Sequence, residues 1–190
     1  MNKKLSTFFA GVALATAAAA APTLNVANGH YYDYIAAPVG ASGFTFAEAL
    51  ANAGTLSHLG WTGYMATVTD MSEHTFITSV AGATAWIAAT DAATEGTFRW
   101  VAGPEAGSVL SFTNWSAGEP NNCCAFGEDE VVINWGAGGA WNDIGNPTFP
   151  DYRVGYIVEF SAPTGVPEPG SMALALLALV GVGAARRRLK

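Results

Sequence analysis

Residues 115–143 read WSAGEPNNCCAFGEDEVVINWGAGGAWND. Gly, Pro and Asn are dense from residue 102 to 150, which predicts an irregular loop over about residues 103–128. A structureless loop of this length is uncommon and usually functional. Nine side chains of the stretch offer carboxylate or amide oxygens, and five of them would supply one ligand set once the loop folds back: Glu119, Asn121, Glu128, Asn142 and Asp143. Because calcium prefers such oxygen ligands, the stretch predicts a calcium site.

Around this loop the pattern predicts two helices and several short strands. The first helix is expected over residues 46–53, where Thr45 and Glu48 have capping-box spacing. The second is expected over residues 73–81, with Ser72 as its cap. Strands are expected at residues 30–35, 63–69, 86–89, 97–101, 131–135 and 155–160. We expect 97–101 to pair with 86–89, the first strand to pair with the last, and the whole to be an α+β fold.

The charge distribution excludes two classes of partner. The chain has 190 residues, 15 acidic and 8 basic, and a formal charge of −7. Six of the basic residues stand at the termini, so that only Arg99 and Arg153 lie among the fourteen acids of residues 22–166. A body this acidic cannot neutralise phosphates, which argues against nucleic acid and against anionic membrane surfaces as partners.

Both ends have the composition of export signals. Residues 1–21 read MNKKLSTFFAGVALATAAAAA, which predicts a signal peptide cleaved near Ala21. Residues 166–190 read VPEPGSMALALLALVGVGAARRRLK. Residues 171–185 are uncharged and mostly apolar, shorter than the roughly 20 residues of a full membrane span. The arginines at 186–188 would hold that helix end at the cytoplasmic face.

The Pro-Glu-Pro triplet, the short apolar helix and the arginine cluster together resemble the PEP-CTERM sorting signal of Gram-negative bacteria. The resemblance implies export through the inner membrane and transient anchoring by this transmembrane helix. It further implies recognition by an exosortase-type enzyme near residues 167–169, and a mature protein outside the cell or on its surface. A permanent single-span anchor is the alternative.

The segments WSAGEPNN, GEDEVVINW and WND, in this order and spacing, resemble the C-type lectin carbohydrate-recognition domain. Upstream, WIAATDAATEGTFRWV resembles that family's WIGL strand and the segment after it. The resemblance covers roughly residues 30–160, within a domain expected over 22–165. It implies a C-type lectin-like α+β fold: two helices, small antiparallel sheets and a long calcium-binding loop.

The resemblance also implies roles for the five oxygen ligands. All five would hold Ca²⁺, Asp143 also through its backbone carbonyl, and two vicinal sugar hydroxyls would fill open calcium positions. Glu119, Asn121, Glu128 and Asn142 would contact the carbohydrate through hydrogen bonds that are charge-assisted where a carboxylate accepts. The Glu-Pro-Asn order resembles the mannose/glucose type, and mannose-, glucose- or fucose-like ligands are expected.

An auxiliary metal site would map to Asp91, Glu95, Asn122 and Asp129, with Glu128 contributing. An amide at Asn122 replaces a family carboxylate, which would weaken the site. The alternative is that Asp91 and Glu95 are solvated turn residues.

The cysteines depart from the family, which normally has two disulfides. This chain has only Cys123 and Cys124, and Glu130 stands where a family cysteine would lie. In the oxidising compartment of an exported protein, a vicinal disulfide, a link to another chain and free thiols are all open, and we favour the vicinal disulfide.

The sequence leaves three classes of function to compare. A calcium-dependent carbohydrate-binding protein of the cell surface or the exopolysaccharide matrix is the leading hypothesis. A structural or adhesion protein of the extracellular matrix, in which calcium only orders the loop, is the alternative. An enzyme is disfavoured, because His30, His58 and His74 are scattered outside the loop and no nucleophile has an evident base.

Overall fold

The computed structural model describes residues 21–37, 43–124, 127–145 and 154–162. The predicted signal peptide lies outside the described residues apart from Ala21, and the predicted sorting signal lies wholly outside them. Within the described ranges, no helix combines the length and the apolar character needed to cross a membrane.

Helix α1, Phe46–Ala53, has the predicted bounds and cap. The Glu48 backbone N–H donates to Thr45 Oγ1 at 3.2 Å, and the Thr45 backbone N–H donates to the Glu48 carboxylate at 2.9 Å. Two backbone donors that the helix start leaves free are thereby satisfied.

Helix α2, Met71–Ala81, begins two residues before the predicted start. Its cap is Asp70 and not Ser72, so that part of the prediction was wrong. Asp70 Oδ1 accepts from the Glu73 backbone N–H at 2.9 Å, the geometry of an N-cap carboxylate. The helix ends at Gly82, whose φ of 59° is the left-handed conformation common at helix ends.

In the part of the chain that the structure describes, ten strands accompany the helices. They are β1 Thr23–Leu24, β2 Tyr31–Ile35, β3 Ser57–His58, β4 Trp61–Thr62, β5 Tyr64–Met65, β6 Ala85–Thr90, β7 Arg99–Trp100, β8 Glu130–Ile133, β9 Asn142–Ile144 and β10 Gly155–Phe160. Eight of them form one sheet in the order β1-β2-β10-β6-β8-β9, with β5 on β10 and β7 on β6. Strands β3 and β4 form a separate hairpin.

The predicted α+β fold with two helices is confirmed, and the large sheet is mixed, not purely antiparallel. Strands β10 and β6 pair in parallel, and the other pairs of this sheet are antiparallel. The predicted pairing of the first long strand with the last is confirmed, since β2 pairs with β10 over five residues. The predicted hairpin is confirmed as β6 with β7.

The predicted strand over residues 63–69 is reduced to β5. Beyond Met65 the backbone N–H groups of two threonines donate to side chains instead of to a strand. Thr67 donates to Glu159 Oε2 at 3.2 Å, and Thr69 donates to Glu73 Oε2 at 2.6 Å. Side-chain acceptors therefore end the ladder here.

Three buried tryptophans, Trp86, Trp100 and Trp141, fill much of the core. Around Trp141 the rings of Phe112 and Trp115 pack edge-on, with centroids 5.8 and 5.7 Å from its own. Trp141 lies immediately before β9, and the two partner rings lie in the long loop. The aromatic packing thereby attaches this loop to the end of the sheet, where the candidate site lies.

Candidate functional site

The long loop returns to the sheet through backbone hydrogen bonds. The Ser116 N–H donates to the Trp141 carbonyl and the Trp141 N–H donates to the Asn114 carbonyl, both at 2.8 Å. The Glu119 N–H donates to the Ser116 carbonyl at 3.0 Å, and the peptide bond between Glu119 and Pro120 is cis. These contacts place Glu119 beside the start of β9.

Asp143, on β9, holds the next part of the loop. Its side chain is fully buried, and its register partner on β8 is Val131. One carboxylate oxygen accepts from the Asn121 N–H at 3.2 Å, and the other accepts from the Asn122 N–H at 2.8 Å. A single carboxylate thus fixes both asparagines of the loop relative to the sheet.

Glu128 is fixed from both of its sides. Its Oε2 accepts from the Cys123 N–H at 3.1 Å, and its own backbone N–H donates to Asn122 Oδ1 at 2.7 Å. Gly127 has φ of 77°, and a Cβ there would lie 2.7 Å from Asn122 Oδ1. The loop therefore requires glycine directly before Glu128.

Among the five predicted ligands of the loop and β9, two buried oxygens have no hydrogen-bond partner in the described residues. They are Glu119 Oε2 and Asn142 Oδ1. A buried acceptor without a partner costs free energy, and in proteins it commonly marks a ligand or ion position.

The carboxylates here also carry unneutralised charge. Burial raises the pKa of Glu119, and the hydrogen bond and negative charge of Asp143 raise it further. Burial raises the pKa of Glu128, followed by the charges of Asp143 and Glu119. The only Lys or Arg within the described ranges is Arg99, whose Nη1 donates to the Gly107 carbonyl.

We call the five residues Glu119, Asn121, Glu128, Asn142 and Asp143 the acidic loop. The five residues lie on adjoining segments, the loop and strand β9, and their oxygens suit a hard cation such as Ca²⁺. They do not form a closed cage, since the three carboxylates do not come within 4.8 Å of one another as a set. The residues fit calcium by donor chemistry and by the two buried oxygens that lack partners.

Three of the four residues predicted for the auxiliary metal site lie near one another: Asp91, Glu95 and Asp129. The Asp91 N–H donates to the Asp129 carbonyl at 3.1 Å, and Asp91 Oδ2 accepts from the Gly96 N–H at 2.8 Å. Burial raises the pKa of Asp91 to about 6, and the charges of Glu95 and Asp129 contribute. Asn122 is engaged elsewhere, because its Oδ1 faces the Glu128 N–H.

Cys123 and Cys124 are exposed free thiols in this structure. Their side chains are hydrogen-bonded to each other, which raises the pKa of Cys123 to about 11, with the nearby acids contributing. The vicinal disulfide stays a prediction.

Sequence reasoning missed a histidine that supports the acidic loop. His74, on α2, is buried; its Nδ1 accepts from Trp141 Nε1 at 3.2 Å, and its Nε2 lies 3.2 Å from the Gly138 carbonyl and 2.9 Å from Asn114 Nδ2. Burial lowers its pKa, which favours the neutral ring that this acceptor role requires. No local signal could have shown this, because Trp141 is 67 residues away in sequence.

Fold and site together define an α+β domain that presents an oxygen-rich loop at one end of a mixed sheet. Residues 58–144 match the family described as the Lectin C-type domain, and residues 165–188 match the PEP-CTERM protein-sorting motif. The chain therefore carries a C-type lectin-like domain followed by a PEP-CTERM sorting motif. C-type lectin domains commonly bind calcium. Neither the C-type lectin domain nor the PEP-CTERM motif is an enzyme family. The PEP-CTERM motif indicates export to the outside or the surface of a bacterial cell.

Curated relatives are much longer than this chain. It is 35% identical over 146 residues to halomucin of Haloquadratum walsbyi, which covers 72% of this chain and 2% of halomucin. It is 33% identical over 81 residues to the versican core protein of Rattus norvegicus, covering 43% of this chain and 3% of versican.

Solved structures share the fold. The C-type lectin CEL-I from Cucumaria echinata superposes with a TM-score of 0.55 at 21% identity, covering 70% of this chain and 90% of CEL-I. Human lithostathine gives a TM-score of 0.57 at 15% identity, covering 84% of this chain and all of lithostathine.

Proposed function

We propose that this protein is an exported, calcium-dependent carbohydrate-binding protein of the mannose/glucose type. It acts at the cell surface or in the exopolysaccharide matrix of a Gram-negative bacterium. The observation that carries the proposal is the pair of buried oxygens without partners, Glu119 Oε2 and Asn142 Oδ1, beside the buried carboxylate of Asp143.

The chemistry follows from the donor set. Carboxylate and amide oxygens of the acidic loop would hold Ca²⁺, and the positive charge of the ion would balance the negative charge of the three carboxylates. Two vicinal hydroxyls of a sugar could then bind the ion, donate to Glu119 and Glu128, and accept from the amides of Asn121 and Asn142. Asp91, Glu95, Asn122 and Asp129 are proposed as an auxiliary calcium site.

The processing steps belong to the same proposal. The signal peptide would direct export through the inner membrane, and its cleavage near Ala21 would leave the domain of residues 22–165 joined to the sorting motif. The apolar segment of residues 171–185 would anchor the protein transiently until an exosortase-type enzyme acts near residues 167–169. The matching sorting motif supports this route.

Calorimetric titration of the purified protein with Ca²⁺, alone and with mannose present, tests the proposal. We expect a saturable calcium site whose affinity rises with mannose, because coupling between two ligands is reciprocal. Galactose serves as the control sugar and should leave the calcium affinity unchanged. Absence of any calcium binding would refute the proposal.

The second candidate is a structural or adhesion protein of the extracellular matrix. It is favoured by the Asp143 contacts, which already order the loop through protein hydrogen bonds. Calcium that raises the melting temperature, with no change on addition of mannose, glucose or fucose, would support this candidate.

A further inference from the structure

A second polar cluster lies where the first and last strands of the sheet meet α2. His30 directly precedes β2, Glu159 lies on β10, and Glu73 lies in the first turn of α2. Their potential ligand atoms all lie within 4.8 Å of one another, and His30 Nδ1 is 2.6 Å from Glu159 Oε1. We call these three residues the buried cluster.

Neutral donors hold its two carboxylates in place. Glu73 is 5% exposed and Glu159 is 1% exposed. The Tyr32 hydroxyl donates to Glu73 Oε1 at 2.6 Å, and the Tyr64 hydroxyl donates to Glu159 Oε1 at 2.7 Å. The remaining carboxylate oxygens accept from backbone and hydroxyl groups of Thr67 and Thr69. These hydrogen bonds orient the carboxylates without neutralising them.

The charge of the cluster is unbalanced. Glu105 Oε2 accepts from Thr67 Oγ1 at 2.8 Å, so a third carboxylate adjoins the pair. The one Lys or Arg that the structure describes, Arg99, has its Nη1 on the Gly107 carbonyl. Among the described residues, only His30 can bring a positive charge to the cluster, and it brings at most one. Buried charges in proteins are paired or coordinate metals, so a divalent cation would restore the balance.

We infer that His30, Glu73 and Glu159 bind a divalent first-row metal ion, with Zn²⁺ the best fit to the ligand set. One imidazole nitrogen and two carboxylate oxygens are ligands that zinc uses, and three protein ligands leave a fourth position for water. The tyrosine and threonine donors are the outer hydrogen bonds that fix metal-binding carboxylates. The ion replaces the proton between His30 Nδ1 and Glu159 Oε1. The His30 side chain is 30% exposed, so the ion can reach the cluster from solvent along it.

This site is distinct in chemistry from the acidic loop, which offers oxygens alone. Imidazole favours transition metals over calcium, so excess Ca²⁺ separates the two sites in one experiment. The inference does not depend on the proposed carbohydrate binding, because mannose plays no part in it.

The test is titration of the purified, chelator-stripped protein with Co²⁺ and with Zn²⁺, both in excess Ca²⁺. We expect one equivalent of Co²⁺ to give a visible absorption band, Zn²⁺ to abolish the band, and Zn²⁺ to raise the melting temperature. His30→Gln and Glu159→Gln should each lower the Zn²⁺ affinity by at least about tenfold. The matched controls His58→Gln and Glu119→Gln should bind Zn²⁺ as the wild type does.

Two results would overturn the inference. One is the lack of saturable Zn²⁺ or Co²⁺ binding in excess Ca²⁺, which would make the cluster a hydrogen-bond network only. The other is wild-type affinity in His30→Gln, or a loss of affinity in Glu119→Gln, which would put the ion elsewhere. If Glu159→Gln does not fold, His30→Gln decides, since it leaves the tyrosine and threonine donors to both carboxylates in place.

Discussion

In the acidic loop two buried oxygens accept no hydrogen bond from the described residues, whereas in the buried cluster all four carboxylate oxygens accept at least one. Both regions are acidic, and neither contains a lysine or arginine. The donors differ in kind. The loop uses backbone N–H groups of residues 121–123, and the cluster uses mainly tyrosine and threonine groups on regular elements and the segment that leads into α2.

This difference predicts a division of roles. The cluster joins β2, β10 and α2, so its side chains contribute to the stability of the fold. The acidic loop is shaped by turns such as Gly118 and Gly127, both with positive φ, and of its five residues only Asn142 and Asp143 lie on a strand. Substitutions in the loop should therefore change calcium and sugar binding, and substitutions in the cluster should change stability and zinc binding while leaving calcium and sugar binding unchanged.

The largest effect is expected for Glu128→Gln. Loss of this carboxylate removes a calcium ligand and a charge-assisted acceptor for a sugar hydroxyl, so the mannose-dependent rise in calcium affinity should disappear. Calorimetry with calcium and mannose measures it, and thermal unfolding in chelator should show a nearly unchanged fold. Glu95→Gln is the control, since it touches only the auxiliary set and should keep the mannose effect. Unchanged coupling in Glu128→Gln would remove Glu128 from the site.

A smaller effect on stability is expected for Glu130, which lies on β8 two residues beyond Glu128 of the acidic loop. It is buried, and burial raises its pKa to about 7, with the charges of Asp129 and Asp91 contributing. Between pH 4.5 and 7 the folded state thus binds more protons than the unfolded state, and its stability falls as the pH rises. Glu130→Gln removes this penalty and should stabilise the metal-free protein by about 3 kcal/mol at pH 8.

The same variant should have almost no effect at pH 4, where Glu130 is protonated in both states. Urea unfolding in chelator at the two pH values measures the difference. If Glu130→Gln changed the free energy of unfolding equally at pH 4 and pH 8, the prediction would be wrong. Glu130 would then be ionised in the folded protein at neutral pH, as a paired carboxylate is.

The acidic loop could be predicted from the sequence, whereas the buried cluster could not. The order of Glu119, Asn121, Glu128, Asn142 and Asp143 is local, within 25 residues, and the structure places all five in adjoining segments. Helix α1 and strand β10 have the predicted bounds because a capping box and an apolar run are also local signals.

Long-range contacts account for what could not be predicted. His30 and Glu159 are 129 residues apart, and no sequence period joins them to Glu73. The start of α2 was misplaced because Asp70 and Ser72 are both good caps, and only the fold selects Asp70. The predicted strand of residues 63–69 is short because Glu73 and Glu159 take its N–H groups, an outcome of the cluster itself.

The smallest effect, and the sharpest test of the division of roles, is expected for Tyr32→Phe. The change removes the hydroxyl that donates to Glu73 Oε1 at 2.6 Å and leaves a buried carboxylate with one donor fewer. A buried acceptor that loses a partner costs about 1–3 kcal/mol, so the free energy of unfolding should fall by that amount. Urea unfolding measures it, with Tyr31→Phe on the same strand as the control.

Calcium and mannose binding should be unchanged in Tyr32→Phe, because the acidic loop contacts neither Tyr32 nor Glu73 in the described hydrogen bonds. A variant that lost mannose coupling together with stability would show that the two regions act as one cooperative unit. Because Glu73 lies one residue before His74, which contacts Trp141 next to the loop ligands, α2 is the element through which that coupling would pass.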